Sequence, residues 1–259
     1  MLYLDGKVLR RFDVETGASR RIDKLPSVDA TASPEGDLVA YVTSSVPAPE
    51  DEDFVTAPEL HLYEVDLGKD TTVGPGFSPL WNFSGDVIAY LEPQQPRACE
   101  GEVCTGSNLV VTADVDTHRR TTLLSAGAWT PLGWLGDRVV VSDQTGEPTA
   151  SVVSESGETE TLSIPTNEFW GLSPDGNWLL RAATDGTTFL SPSNPHLKET
   201  VHLGEAVLGE GAWSPDSRLV AAVLLEGPAV GNSHLVLLTP GSRRPLVLEK
   251  SEGASGPVL

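Results

Sequence analysis

Apolar residues along this chain come in short runs rich in β-branched side chains: Leu38-Val39-Ala40-Tyr41-Val42, Val87-Ile88-Ala89-Tyr90-Leu91, Arg138-Val139-Val140-Val141 and Leu219-Val220-Ala221-Ala222-Val223. Stretches with apolar residues at helical spacing are nearly absent. Gly, Asp, Pro and Ser, the residues that form turns, punctuate the runs. Many short strands with regular turn signals predict an all-β sandwich, barrel or propeller.

A recurring phrase decides among these. A small or aromatic residue is followed by Ser-Pro, an acidic-Gly turn and an apolar strand, as in Ala32-Ser33-Pro34-Glu35-Gly36-Asp37-Leu38-Val39. It returns at Phe83-Ser84-Gly85-Asp86-Val87, in weaker form at Trp134-Leu135-Gly136-Asp137-Arg138, at Leu172-Ser173-Pro174-Asp175-Gly176-Asn177 and at Trp213-Ser214-Pro215-Asp216-Ser217-Arg218. Aligned at Gly36, Gly85, Gly136, Gly176 and Ser217, the copies are spaced 49, 51, 40 and 41 residues apart. A period of this length with several strands in it is the signature of a propeller. A second phrase, strand-turn-strand with basic residues opening its last strand, runs over Phe12 to Ile22, Asp114 to Leu123 and Leu235 to Leu246. Each period therefore holds four strands, A and B around the acidic-Gly turn, then C and D, with D at the rim. Paired Arg on D reads as charge that discourages edge-to-edge pairing. The chain opens on what read as strands B, C and D (Leu2-Tyr3-Leu4, Lys7 to Val14, Ala18 to Ile22) and ends at Ser255-Gly256-Pro257-Val258-Leu259, where another A strand is due. The expected fold is an all-β six-bladed β-propeller with four-stranded blades, the sixth shared by the two termini, in a single domain over 1–259.

The Ser-Pro-Asp-Gly phrase, complete at residues 173–176 and degenerate in four relatives, resembles the TolB-like, WD-like β-propeller repeat family, which also includes the propellers of prolyl-oligopeptidase-type enzymes. The resemblance is at the level of repeats and spans nearly the whole chain. It implies a propeller. Such propellers serve as scaffolds, binding modules, enzyme gates and occasionally enzymes, so it says little of function.

Charge narrows the partners. Against 17 Lys and Arg stand 37 Asp and Glu, a net charge of −20 in 259 residues. That argues against nucleic acid, which needs a basic stripe, and against an anionic membrane surface. No apolar run is long enough to cross a membrane as a helix. Met1-Leu2-Tyr3-Leu4-Asp5-Gly6 reads as a strand and a turn, not as a secretion leader.

Known catalytic signatures are missing from the sequence: Gly-x-Ser-x-Gly, His-Glu-x-x-His, a Walker loop and Gly-x-Gly-x-x-Gly. The histidines, His61, His118, His196, His202 and His234, fall on or beside C and D strands and a C–D turn, and read as surface residues. None is on an inner strand, where an axial metal site would draw its ligands. Cys99 and Cys104 flank Glu100-Gly101-Glu102-Val103 in one loop. They have no second pair for zinc and the wrong spacing for a redox motif. They read as a loop-closing disulfide, which places the chain in an oxidising, extracytoplasmic compartment as a mature chain or excised domain.

The B–C connections are uneven, and those of two adjacent blades (Ser44 to Pro58 and Glu92 to Ser107) are long. Long loops on one face of a repeat protein often mark its binding face. These carry Glu50, Asp51, Glu52 and Asp53, then Glu92, Glu100 and Glu102, with Phe54 directly after the acidic run. A docking patch for a basic protein or peptide fits them. Calcium fits less well, because no Asp-x-Asp-x-Asp-Gly loop is present; no other cofactor or metal is expected. Trp81, Trp134, Trp170 and Trp213 lie on or beside A strands, where recurrence favours packing between blades over the lining of a channel. The sequence thus predicts a non-enzymatic protein- or ligand-binding module, the ectodomain or the periplasmic or secreted part of a cell-envelope protein, with membrane anchoring through a larger parent compatible with it. The competing expectation is a carbohydrate- or peptide-acting hydrolase or lyase using carboxylates at the propeller mouth.

Overall fold

The computed structural model describes residues 2–5, 7–12, 16, 18–25, 30–43, 58–94, 98–100, 103–105, 107–143, 149–165, 169–173, 175–183, 186–191, 194–201, 207–214, 216–226, 232–242, 246–251 and 257–258. Among these, regular structure is entirely β. The first sheet holds β1 (Leu2–Asp5), β2 (Val8–Phe12) and β3 (Ser19–Lys24). The second holds β4 (Ala30–Ala32), β5 (Leu38–Thr43), β6 (Glu59–Glu64) and β7 (Lys69–Pro75). The third holds β8 (Phe77–Trp81) and β9 (Val87–Pro93); a two-stranded ribbon, β10 (Ala98–Glu100) and β11 (Val103–Thr105), intervenes before β12 (Asn108–Asp114) and β13 (Arg120–Gly127) complete it. The fourth is β14 (Trp129–Leu135), β15 (Arg138–Asp143), β16 (Thr149–Val153) and β17 (Thr159–Pro165). The fifth is β18 (Phe169–Leu172), β19 (Leu179–Ala183), β20 (Gly186–Ser191) and β21 (Asn194–Val201). The sixth is β22 (Val207–Trp213), β23 (Val220–Glu226), β24 (Asn232–Leu238) and β25 (Leu246–Ser251), and β26 (Pro257–Val258) pairs with β1 at Leu2↔Val258 and Tyr3↔Pro257. Pairing is antiparallel throughout, and each complete sheet runs A-B-C-D in order, which makes an all-β propeller.

The apolar runs of the sequence are the B strands, and they are apolar on both faces because both faces are covered. Successive side chains point to opposite sides. Val39 and Tyr41 pack with Leu2 and Leu9 of the first sheet, while Ala40 and Val42 pack with Ile88 and Tyr90 of the third. The alternation repeats: Ala89 and Leu91 meet Val139 and Val141, Val140 and Val152 meet Leu172, and Leu180 meets Val220 and Ala222. The core is a series of wedges between sheets. The A strands touch in succession, β4 to β8 to β14 to β18 to β22, with β26 against both β22 and β4.

At the narrow end of the wedges the tryptophans make one repeated bond. The Trp81 indole N–H donates to the Thr31 carbonyl at 3.0 Å, Trp134 to Leu80 at 3.2 Å and Trp213 to Gly171 at 3.4 Å. Each acceptor belongs to the A strand of the preceding sheet, two residues before its turn. In the fourth-to-fifth interface Leu172 takes the Trp place, and a Cβ on Gly133 would stand 3.3 Å from its Cβ. The packing role expected for these tryptophans is seen in Trp81, Trp134 and Trp213.

The Ser-Pro-Asp-Gly phrase closes on itself. Ser33, Ser173 and Ser214 each accept, on the side-chain oxygen, the amide N–H five residues on: Leu38 at 3.1 Å, Trp178 at 2.9 Å and Leu219 at 3.0 Å. Each hydroxyl donates to the turn carboxylate, Asp37, Asp175 or Asp216, at 2.6–2.7 Å. Gly36, Gly85 and Gly176 have φ of 70, 77 and 71°, the left-handed region where a side chain is strained. Ser217 takes that conformation in the fifth copy at φ 60°, and its hydroxyl oxygen accepts the Asp175 N–H of the neighbouring sheet's turn at 2.9 Å.

The wedge bond yields a direct expectation. Trp134→Phe keeps most of the ring packing and loses the indole donor, leaving the Leu80 carbonyl short of one partner. Unfolding free energy should fall by about 1–2 kcal/mol. Trp134→Ala should cost about 3–5 kcal/mol, since Trp134 is 7% exposed. Denaturant titration of both variants checks this; a Trp134→Phe variant as stable as the parent would show that the bond contributes nothing beyond packing.

Candidate functional site

Of the acidic wall expected on the B–C face, Glu50, Asp51, Glu52, Asp53, Phe54 and Glu102 lie outside the described residues. Glu100 is the last residue of β10. The cysteines, expected in an irregular loop, stand instead in a hairpin: Ala98↔Thr105, Cys99↔Cys104 and Glu100↔Val103 are paired. The Gln94 N–H donates to the Ser107 carbonyl at 3.0 Å, closing the base of the excursion. The ribbon thus stands beyond the paired ends of β9 and β12, at the B–C end of the third sheet.

The histidines correct one expectation. His61 in β6 has a side chain only 13% exposed and His234 in β24 is 6% exposed, so neither is a surface residue. The His61 ring stacks on Tyr41 with centroids 5.0 Å apart, and its Nδ1 is 3.4 Å from Asp70. The Tyr41 hydroxyl donates to Asp70 at 2.5 Å, and that of Tyr63 to Asp23 of the first sheet at 2.5 Å. Burial, and then those carboxylates, push both phenols up, Tyr63 to about 12. Tyr90, the repeat equivalent of Tyr41, accepts from Arg120 Nε at 2.8 Å, and Arg120 also pairs with Glu92. Burial raises Tyr90 too, against the opposing pull of Arg120. In both sheets the B-strand tyrosine reaches the rim strand of its own sheet, which ties the sheet across its width. Among the described residues no three His, Cys, Asp or Glu gather as a metal site.

A cleft of about 350 Å³ opens on the other face, among the A–B and C–D turns of the third and fourth sheets. Its floor is the end of the wedge between them: Val87, Leu123, Trp134 and Val139. Asp86, Asp114, Asp137 and Glu155 rim it, with Arg119. Asp86 is held below the usual carboxylate range by hydrogen bonds from Ser84 and then Asn82, and Asp114 by the hydroxyl and N–H of Thr117. Sequence reasoning passed over these residues, because each looks like an ordinary turn former. The available signal was the weak third copy of the repeat, whose turn is Gly136-Asp137 alone.

These features define a β-propeller whose two ends differ, with a raised ribbon on one and an acidic cleft on the other. No protein-family profile and no curated protein matches the chain. Solved structures of the same fold do. TolB from Agrobacterium tumefaciens superposes with a TM-score of 0.70 at 12% identity, over 99% of this chain and 92% of that one. TolB from Acinetobacter baumannii gives 0.69 at 13% identity, over 99% of this chain and 64% of that one. An oligogalacturonate lyase in complex with manganese gives 0.55 at 13% identity, over 92% and 73%. The TolB-like propeller fits the chain as a fold; at such identities the likeness extends no further.

Proposed function

We propose that the chain is a non-catalytic binding module, one propeller domain over 1–259, whose B–C face docks a basic protein or peptide outside the cytoplasm. The observation that carries this is the β10–β11 ribbon, an addition to the four-stranded sheet that the fold does not need. It bears Glu100, Glu102 follows in its connection, and the acidic run Glu50 to Asp53 with Phe54 belongs to the B–C connection of the adjacent sheet. Partners of opposite charge gain speed of encounter and orientation from such a patch. The lyase-like fold keeps a carboxylate enzyme as the second reading, though the described histidines stand on C and D strands and a C–D turn.

Neutralising Glu50, Asp51, Glu52, Asp53, Glu100 and Glu102 together should slow association with an oligolysine peptide and flatten its dependence on salt. The melting temperature should hold, because clustered like charges repel. Stopped-flow association across a salt series checks this. An unaltered salt slope, or a large fall in melting temperature, removes the docking reading.

Location rests on the cysteines. Directly opposed residues of an antiparallel pair have Cα atoms about 4.5–5.5 Å apart, inside the span of a disulfide. Closing so short a loop contributes at most about 2 kcal/mol. Both cysteines should resist alkylation in the unreduced protein as secreted; quantitative labelling seen by mass spectrometry counts against the bond and the compartment.

For architecture we propose a closed ring of six blades, the sixth built from β26 and β1 to β3. The pairing of β26 with β1 and its contacts with β22 and β4 support this. Removing residues 254–259 should expose the unpaired edge of β1 and lower stability by several kcal/mol, on the order of one lost ladder and its apolar burial. An unfolding midpoint equal to that of the full chain would mean that the ring does not close through this strand.

A further inference from the structure

We infer that the cleft between the third and fourth sheets is a second binding site, separate from the B–C face, and that it takes the arginine or lysine side chain of a partner polypeptide with an apolar residue beside it.

The cleft follows from a shortened repeat. The A–B turns of the other sheets lean on the sheet before them. A Cβ at Gly36 would stand 3.8 Å from Leu2, one at Gly85 would stand 3.2 Å from Pro34, and one at Gly176 would run into Leu135. Ser217 reaches back by its bond to Asp175. Gly136 breaks the series: nothing lies within 4 Å of a Cβ placed there. The third sheet crosses from Trp81 to Val87 through residues 82–86, whereas the fourth has only Gly136 and Asp137 between β14 and β15. The shorter turn stops short of the third sheet, and the end of the wedge core is left open there.

What the opening exposes determines what it can hold. Half-buried Val87, with Leu123 and Trp134 behind it, offers an apolar floor that suits a methylene stem, and Thr112 and Thr121 line the wall. Four carboxylates face one cation. That cation, Arg119, lies 3.5 Å from Glu155, which leaves Asp86, Asp114 and Asp137 in excess. Asp86 and Asp114 are positioned in advance. Asn82 and Ser84 both donate to Asp86 Oδ1, at 2.6 and 2.5 Å, and the Thr117 N–H and hydroxyl both donate to Asp114 Oδ1, at 2.7 and 2.6 Å. In each, Oδ2 is the atom that a ligand would take. The Val115 N–H donates to the Asp86 carbonyl at 2.9 Å, which holds the two turns side by side, so their like charges repel across the mouth until a cation enters. An anion is excluded by the same charges. A volume of 350 Å³ is at the small end for ligand sites and suits one long side chain. Phe83, 53% exposed, stands between the lining residues Asn82 and Ser84, where it meets the apolar neighbour of that side chain.

The test is calorimetric titration of the whole chain with two blocked peptides, Gly-Leu-Arg-Leu-Gly and its counterpart with Glu in place of Arg. The Arg peptide should bind saturably and the Glu peptide should not. Affinity should fall at least tenfold in Asp86→Asn/Asp137→Asn and in Thr121→Trp, which fills the cleft, and severalfold in Phe83→Ser. It should be unmoved by Glu100→Gln/Glu102→Gln, which touches only the B–C face. Asp137→Asn/Glu155→Gln leaves the turn hydrogen bonds in place and serves as the control on folding; it should still weaken binding severalfold. Absence of saturable binding, equal binding of the Glu peptide, or full affinity in the filled or neutralised variants overturns the site. So does loss of binding in the Glu100/Glu102 variant alone, which would move the peptide to the opposite face, and so does calcium binding at the cleft without peptide binding.

Discussion

The structure depends on the burial of each sheet on both faces. Val39 and Tyr41 on one side of β5, and Ala40 and Val42 on the other, are 0–7% exposed, so a single sheet of this sequence would leave both apolar faces in water and a pair would still leave one on each sheet. The remedy is a neighbour on each side, and the wedge shape of the gap follows from sheets that fan out from a common centre. Large flat side chains then have a natural place at the narrow end. The indole bond to the preceding A strand satisfies a polar group that burial would otherwise strand, and fixes one sheet against the next.

The same logic explains the repeated Ser-Pro-Asp-Gly phrase without any catalytic role. A serine hydroxyl that accepts a backbone amide and donates to a carboxylate builds a self-contained turn at the end of every A strand where it occurs. Where the motif is varied, the variation is compensated. Ser217 occupies a glycine's backbone conformation and adds a bond to the adjacent turn. Leu172, in place of tryptophan, packs against Gly133. The fourth sheet alone drops the motif for a two-residue turn, and there no neighbouring atom fills the space.

Both functional proposals come from departures from regularity on a scaffold held rigid by its repeats. The ribbon extends one end of the third sheet, and the cleft opens beside the other end of the same sheet. Both proposed sites call for a cationic partner, in keeping with the net charge of −20. The Tyr41–Asp70–His61 and Tyr90–Arg120–Glu92 groups, which resemble reactive clusters in composition, are tied within single sheets and serve to hold strand B to strand D.

The repeat period, the A–B–C–D order, the propeller fold and the tryptophan positions were legible in the sequence, because each follows from local rules: turn residues at fixed offsets and apolar runs of strand length. The pairing of Leu2 with Val258 could be anticipated from the same count of strands. Other features were not legible, because they depend on what faces what across a gap. Cys99 and Cys104 read as a disulfide closing an irregular loop; that they stand opposite each other in a hairpin came only from strand register. His61 and His234 read as surface residues until their neighbours buried them. Asp86, Asp114, Asp137 and Glu155 are far apart in sequence and individually ordinary. Only the packing of the third sheet on the fourth, with a turn three or four residues shorter than its counterparts, brings these carboxylates to one mouth.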